Sequence, residues 1–382
     1  RQNLKMEINQ QPLPSSSLKL SKKKIMTLNL AAMNRHNNPQ KGNGPLKVLV
    51  TGAGGFLGSE IATQLLHQDH TVIGFSRGSD PALEQQGVQW IHGDIRDASA
   101  VNDACRNVDT IIHTAALPGV WGSWNAYYQV NTVGTEHVIA AARAQAVKHL
   151  VYTSSPSVTF NGTDQVNIPE DVPYPKSWLC HYPHSKAIAE QAVLAASGQD
   201  NLVTCALRPH LIWGANDPHL IPRLIKRGKA GKLRIVGDGT NLIDMVHVTN
   251  AAHAHLCAIA ALSNDPASHG KAYWVSQQEP VNCWDWLNEL LQAAGVPPIK
   301  KSISRRTAYA AGAVLEAVYT ALRIRSEPRM TRFLAKQLSA DHYFDNRRAQ
   351  KLLGYTPVLS TSQAMDQFKQ AIRSKDWNLR KR

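Results

Sequence analysis

An apolar run, Leu46-Lys47-Val48-Leu49-Val50, leads without a break into Thr51-Gly52-Ala53-Gly54-Gly55-Phe56-Leu57-Gly58, and a helical pattern follows from Phe56 to His67. A short buried strand, a turn that excludes side chains at fixed places and a helix that starts at once describe the first unit of a parallel α/β sheet. Such a turn aims backbone N–H groups and the positive end of a helix dipole at one point, which suits a pyrophosphate. Gly52 permits the turn, Gly55 lets a ligand lie against the backbone, and Gly58 allows the helix to pack closely on the sheet. Phe56 and Leu57 open the helix at that same ligand.

The pattern then alternates. Strands are predicted near 47–51, 71–75, 88–92, 109–113, 148–153 and 202–208, with helices over 56–69, 98–106, 125–146 and 182–197. Short strands separated by helices call for parallel pairing with crossovers on both faces, so 46–212 should form a doubly wound, Rossmann-type α/β sheet. After Arg208-Pro209 the alternation is lost, and Gly, Pro and aromatic residues become frequent. Residues 213–375 are expected to supply a smaller C-terminal substrate domain, with a segment near 240–262 returning to the sheet.

A formal charge of +14 on 382 residues suggests nucleic acid until it is divided along the chain. Residues 1–46 hold eight Lys/Arg against one Asp/Glu and residues 299–382 hold eighteen against six, which leaves the motif-bearing 47–298 segment at −5. No nucleic-acid partner is therefore expected, and 1–45 and 376–382 read as basic tails, the first of them disordered. Cys105, Cys180, Cys205, Cys257 and Cys283 are scattered, with neither metal spacing nor a disulfide framework, so a reducing cytoplasmic setting and no metal are expected. A stretch from Thr307 to Leu322 is apolar yet too short to span a bilayer, and Arg305, Arg306, Arg323 and Arg325 flank it. It is the candidate wall for an apolar substrate. A contact with a membrane surface or an enzyme complex, and a homodimer, stay open as partners.

Tyr182-Pro183-His184-Ser185-Lys186 puts a phenol and an amine four residues apart on one helix face. A free phenol titrates near roughly 10, too high for ready exchange at neutral pH, and a nearby ammonium should favour the phenolate. Lys186 can also hold a ribose. The fifth strand ends Thr153-Ser154-Ser155-Pro156-Ser157, and Ser155 is chosen to orient a reacting carbonyl, with Ser154 and Ser157 as alternatives. The second strand ends in Ser76-Arg77, where an NAD-binding chain would place an acid on the ribose; an arginine there can pair with a 2′-phosphate, which favours NADP(H) over NAD(H). Asp94 and Ile95 after the third strand are placed at the adenine, Ala115 and Ala116 after the fourth at a ribose, and Pro209 after the sixth at the same cofactor.

These motifs, with Val130-Asn131-Thr132-Val133-Gly134-Thr135, resemble the extended short-chain dehydrogenase/reductases over nearly everything after residue 45. Tyr182 to Lys186 with Ala189-Glu190-Gln191-Ala192 and Thr204 to Pro209 is similar to the 3β-hydroxysteroid dehydrogenase branch. The resemblance implies Ser155, Tyr182 and Lys186 as catalytic triad and Asn131 as a helix asparagine near the cofactor. Gly119-Val120-Trp121-Gly122-Ser123-Trp124, Leu211-Ile212-Trp213-Gly214 and Val236 to Leu242 resemble, more closely, bacterial 2-alkyl-3-oxoalkanoate reductases of long-chain olefin biosynthesis. The implied activity is NADPH-dependent, reversible reduction of the 3-ketone of a long-chain 2-alkyl-3-oxo acid. A 3β-hydroxysteroid or sterol dehydrogenase needs the same triad and is the alternative. An NADP-sensing protein without turnover is the alternative of another class.

Overall fold

The computed structural model describes residues 44–374. The basic tails expected over 1–45 and 376–382 fall outside the described residues apart from Gly44 and Pro45. The first half of the chain runs β1 (Lys47–Thr51), α1 (Phe56–His67), β2 (Thr71–Ser76), β3 (Gln89–His92), α2 (Ala98–Ala104), β4 (Thr110–His113), α3 (Gly134–Ala144), β5 (His149–Thr153), β6 (Gln165–Ile168) and α4 (His181–Ala195). The elements of the second half that bear on the site are β7 (Val203–Pro209), β8 (Leu242–Ile243), α5 (Val248–Asn264), β9 (Lys271–Val275), β10 (Val281–Asn282), α6 (Arg305–Ala321), α7 (Arg332–Gln337) and β11 (His342–Phe344).

Seven strands form one sheet in the order β9-β7-β5-β4-β1-β2-β3, every neighbouring pair parallel. Alternate residues of β1 feed opposite faces, as strand geometry requires. Val48 and Val50 join Ile61 and Leu65 of α1 and Ala251 to Leu262 of α5, whereas Leu49 joins Val101, Val138 and Val193 from α2, α3 and α4. Each fully buried Val or Leu contributes about 1.5–3 kcal/mol by leaving water. A Rossmann-type doubly wound sheet is what the alternation predicts.

The seventh strand, β9, lies beyond the return segment near 240–262, which itself holds most of α5. A second, four-stranded sheet in the order β10-β8-β11-β6 joins residues more than 100 positions apart, and β6 contributes to it from within 46–212. A third core, built on Trp213, Trp284, Trp286, Leu290 and Phe368, carries the C-terminal segments. The helix expected over 125–146 is interrupted: a π-helical stretch, Tyr128–Val133, separates a short turn from α3. One extra residue per turn rotates a side chain away from the face that α-helical spacing assigns it.

Candidate active site

The carboxyl ends of β1, β2, β4, β5 and β7 open on a cavity of about 1070 Å³, at the upper end of the roughly 300–1,000 Å³ usual for ligand sites. Its first wall is the glycine turn. Gly52 has φ +73°, and a Cβ on it would stand 2.9 Å from the Ala115 nitrogen. A Cβ on Gly58 would stand 2.2 Å from the Gly52 oxygen, and one on Gly55 3.1 Å from that same oxygen. Gly55 begins α1 without a side-chain cap, which leaves first-turn N–H groups at Phe56 and Leu57 facing the cavity they line. A cradle shaped by absent side chains and ending in an uncapped helix start fits a dinucleotide pyrophosphate.

Arg77, Asp94, Ile95, Ala115, Ala116 and Pro209 also line this cavity, as do Ser155, Tyr182 and Lys186. Arg77 is exposed at the end of β2. The Asp94 carboxylate is held by Arg96, with Nε at 2.9 Å and Nη2 at 2.7 Å, which keeps its carboxyl down at about 2. It is ionised and already partnered.

Ser155, two residues past the end of β5, caps a short turn: its Oγ accepts from the Ser157 nitrogen at 3.2 Å and lies 2.8 Å from Ser157 Oγ. The Tyr182 phenol, in the first turn of α4, lines the same cavity as Ser155. Ser157 supports Ser155, and among the described residues Ser154 Oγ is buried without a hydrogen-bond partner. Burial pushes Tyr182 up to about 12, and Ser155 opposes that rise. Lys186, one turn on, is buried; its Nζ donates to the Thr153 carbonyl at 2.6 Å and sits 4.1 Å from the Tyr152 ring centre. Burial lowers Lys186 to about 7, with Glu190 opposing. Burial of Tyr182 opposes the pull towards the phenolate expected of a Lys186 ammonium.

Asn131 stands behind the cavity rather than in its lining. The π-helical stretch turns its side chain so that Nδ2 donates to the Leu117 carbonyl at 3.1 Å and to Ser185 Oγ at 3.0 Å, while Oδ1 accepts from the Leu117 nitrogen at 2.7 Å. It ties the cavity loop to the helix that carries Tyr182. Sequence reasoning passed over the partners that extend this tie: Thr51 Oγ1 lies 2.7 Å from His113 Nδ1, His113 Nε2 lies 2.9 Å from Thr135 Oγ1, and that hydroxyl donates to the Asn131 carbonyl at 2.6 Å. Burial, with Lys186 nearby, takes His113 down to about 3, so the link runs through a neutral imidazole.

The far end of the cavity is built from Phe160, Gln165, Leu211, Ile212, Phe333 and Gln337, with His210 and His342 beside them. Both imidazoles are buried and lowered, to about 4 and about 3, so this end is neutral and mostly apolar. The stretch 307–322 forms no part of it. That stretch is the body of α6, whose buried residues are Ala308, Gly312 and Glu316; α7 lies between it and the cavity and supplies Phe333 and Gln337 instead. The expected substrate wall is therefore corrected from α6 to α7. An apolar segment shows that a surface prefers to leave water, not which surface covers it.

Residues 49–304 match the model of the 3-beta hydroxysteroid dehydrogenase/isomerase family. The chain is 44% identical over 326 residues to a 2-alkyl-3-oxoalkanoate reductase of Stenotrophomonas maltophilia, covering 85% of this chain and 98% of that one. It is 33% identical over 329 residues to the decarboxylating sterol-4-alpha-carboxylate 3-dehydrogenase of Mus musculus, covering 85% and 90%. Among solved structures, MoeE5 in complex with UDP-glucose and NAD superposes with a TM-score of 0.65 at 25% identity, covering 86% of this chain and 99% of that one. Family match, fold and cradle agree: the chain belongs to the 3-beta hydroxysteroid dehydrogenase/isomerase family and is an NAD(P)-dependent oxidoreductase of the extended short-chain type.

Proposed function

We propose that the protein reduces the 3-ketone of a long-chain 2-alkyl-3-oxo acid to the 3-hydroxy acid, reversibly, with NADPH. The observation that carries this reading is that Tyr182, Ser155 and Lys186 line one cavity whose far end is neutral and mostly apolar. NADPH, when bound, supplies the hydride. Ser155 donates a hydrogen bond to the carbonyl oxygen and aligns it beneath the phenol. Tyr182 passes its proton to that oxygen as negative charge develops there, and a phenol held at about 12 keeps that proton at neutral pH. Lys186 holds the ribose and, when protonated, eases the phenol's loss of its proton. Arg77 pairs with the 2′-phosphate, a contact open to an exposed guanidinium. The 44% identity to reductases of that name over most of the chain supports the substrate class.

A 3β-hydroxysteroid or sterol substrate is the second reading, favoured by the aromatic end wall in which Phe160 packs edge-on against Phe333, ring centres 5.8 Å apart. Comparing NADPH oxidation on a 2-alkyl-3-oxo acid with NAD(P) reduction on a 3β-hydroxysteroid separates the two. Tyr182→Phe tests the shared core: turnover should fall by about 10³ while dinucleotide affinity is kept. Undiminished turnover would overturn Tyr182 as proton donor.

A further inference from the structure

Two polar atoms at the substrate end of the cavity are buried with no hydrogen-bond partner among the described residues: Gln165 Oε1 and His342 Nε2. Gln165 is 5% exposed and His342 3%. The two are register partners on β6 and β11, so their side chains share one face of the second sheet. The Gln165 amide has a single orientation that fits its neighbours. Thr159 Oγ1 gives its hydrogen to the Pro156 carbonyl at 3.1 Å and can only accept from Gln165, so Nε2 donates to it at 3.0 Å and Oε1 is left for the cavity. His210, whose ring centre lies 5.8 Å from that of His342, is fixed in the same way. Its Nδ1 lies 2.9 Å from the Asp244 carbonyl oxygen and must carry the hydrogen, so in the neutral ring Nε2 is a lone pair. The charged side chains that line the cavity are Arg77, Asp94, Arg96 and Lys186, all at the dinucleotide end or the reacting centre.

We infer that Gln165, His210 and His342 form the subsite for the acid group of the substrate, which enters it together with one proton. The inference rests on the 3-oxo acid reading above and deepens it. A carboxylate brings lone pairs alone, and burying it without a cation or a donor is costly. One proton makes the fit: on His342 it gives an imidazolium facing the acid, and on the acid it gives an O–H for Gln165 Oε1. That proton belongs to the pair, so both placements carry the same count. Burial, with His210 beside it, keeps His342 neutral in the free chain, and an arriving anion works in the opposite sense. The other titratable groups on the elements packed around His342 are engaged elsewhere. The Asp341 carboxylate accepts from the Leu242 nitrogen, Asp164 from the Asp341 nitrogen and Asp244 from Ser276 Oγ, while Lys336 Nζ lies over the Tyr309 ring. The position suits the substrate. A 3-oxo acid carries its carboxyl two bonds from the ketone carbon, and Gln165 is tied through Thr159 to the short turn Pro156–Thr159 that Ser155 caps.

The test uses a complex that cannot react: the full chain saturated with NADPH, to which a long-chain 2-alkyl-3-hydroxy acid or its methyl ester is added. The ester meets the same Tyr182 and Lys186, so it subtracts their titration. Calorimetry at about pH 6.5, in two buffers of different ionisation enthalpy, should count about one proton more taken up with the acid than with the ester. Relative to the ester, acid affinity should weaken about tenfold for each pH unit on the way up. His342→Gln and Gln165→Leu should each weaken acid binding about tenfold, while ester and dinucleotide affinities hold. The proton count is read on the unaltered chain and needs neither variant to fold. Acid binding with no extra proton would overturn the inference and leave ketone reduction standing. Equal losses of acid and ester binding in the variants would overturn it too, by reducing these side chains to packing. Binding of neither ligand would remove the 3-oxo acid reading and this inference together.

Discussion

The two ends of the cavity are built by different means. The dinucleotide end is made of backbone: turns that follow neighbouring parallel strands, with Gly52, Gly55 and Gly58 excluding side chains and N–H groups left uncapped. The substrate end is made of side chains from segments remote in sequence, with Phe160 and Gln165 meeting His210, Phe333 and His342. A backbone surface has few ways to change without breaking the turn. A side-chain surface changes one residue at a time, so the family's chemistry stays fixed at one end while its substrates vary at the other.

The largest break in that comparison is expected from Gly58→Ala. The added carbon would lie 2.2 Å from the Gly52 oxygen, and backbone on both sides leaves nothing flexible to yield. A loss of about 3 kcal/mol and of measurable dinucleotide binding is expected, read by denaturant melts and calorimetry. Gly54→Ala is the control, since its nearest neighbour is Ser76 Oγ at 3.6 Å, an ordinary contact. Equal damage from both would remove the claim that close approach at Gly58 shapes this end.

Protons sharpen the contrast next. His113 behind the dinucleotide end, His210 and His342 at the substrate end, and His247 and His255 are all lowered by burial, to values between about 3 and about 4. Their unfolded values lie near roughly 6.5, so on acidification the unfolded chain takes up protons before the folded one does. Stability is thus full above about pH 6.5 and falls as pH drops towards about 4, by about 1.4 kcal/mol per unit for each imidazole. Asp244, raised to about 6 by burial, works in the opposite sense between its unfolded value and about 6 and offsets roughly one of them. His210→Gln with His342→Gln should flatten the acid slope by about two protons, measured from melting temperature against pH. An unchanged slope would mean that these imidazoles are protonated in the fold.

The same division decides what could be read in the sequence. The glycine turn, the alternation of strands and helices, and the spacing of Tyr182 and Lys186 are local patterns, and the structure brings their residues to one cavity. The wall at Phe333 was not legible, because α7 has only six residues and nothing local distinguishes it from any other short helix. Strand β9 was passed over because Ala272-Tyr273-Trp274-Val275 is a short edge strand without a glycine signature. Asn131 was placed near the cofactor by resemblance alone; the π-helical stretch and the hydrogen bonds to Leu117 and Ser185, which no local pattern announces, set it behind the cavity lining.

Phe333→Ala addresses the substrate end alone. Removing one aromatic wall takes away burial equivalent to about 1.5–3 kcal/mol, so KM for a long-chain 3-oxo acid should rise about tenfold or more while dinucleotide affinity holds. A parallel loss of dinucleotide affinity would show that the two ends are not separable.

The smallest effect is expected where a side chain intrudes on the backbone end. Arg77 is exposed, so water would screen the proposed pairing with a 2′-phosphate, and the contact should be worth less than a buried ion pair. Arg77→Gln should cut NADPH preference over NADH by about tenfold, almost wholly through weaker NADPH binding, with NADH affinity unchanged. Asp94 cannot take over ribose selection in the variant while Arg96 holds both of its oxygens. If NADH affinity instead rises with the substitution, the arginine has been excluding the unphosphorylated ribose rather than recruiting the phosphorylated one, and selectivity at this edge rests on repulsion.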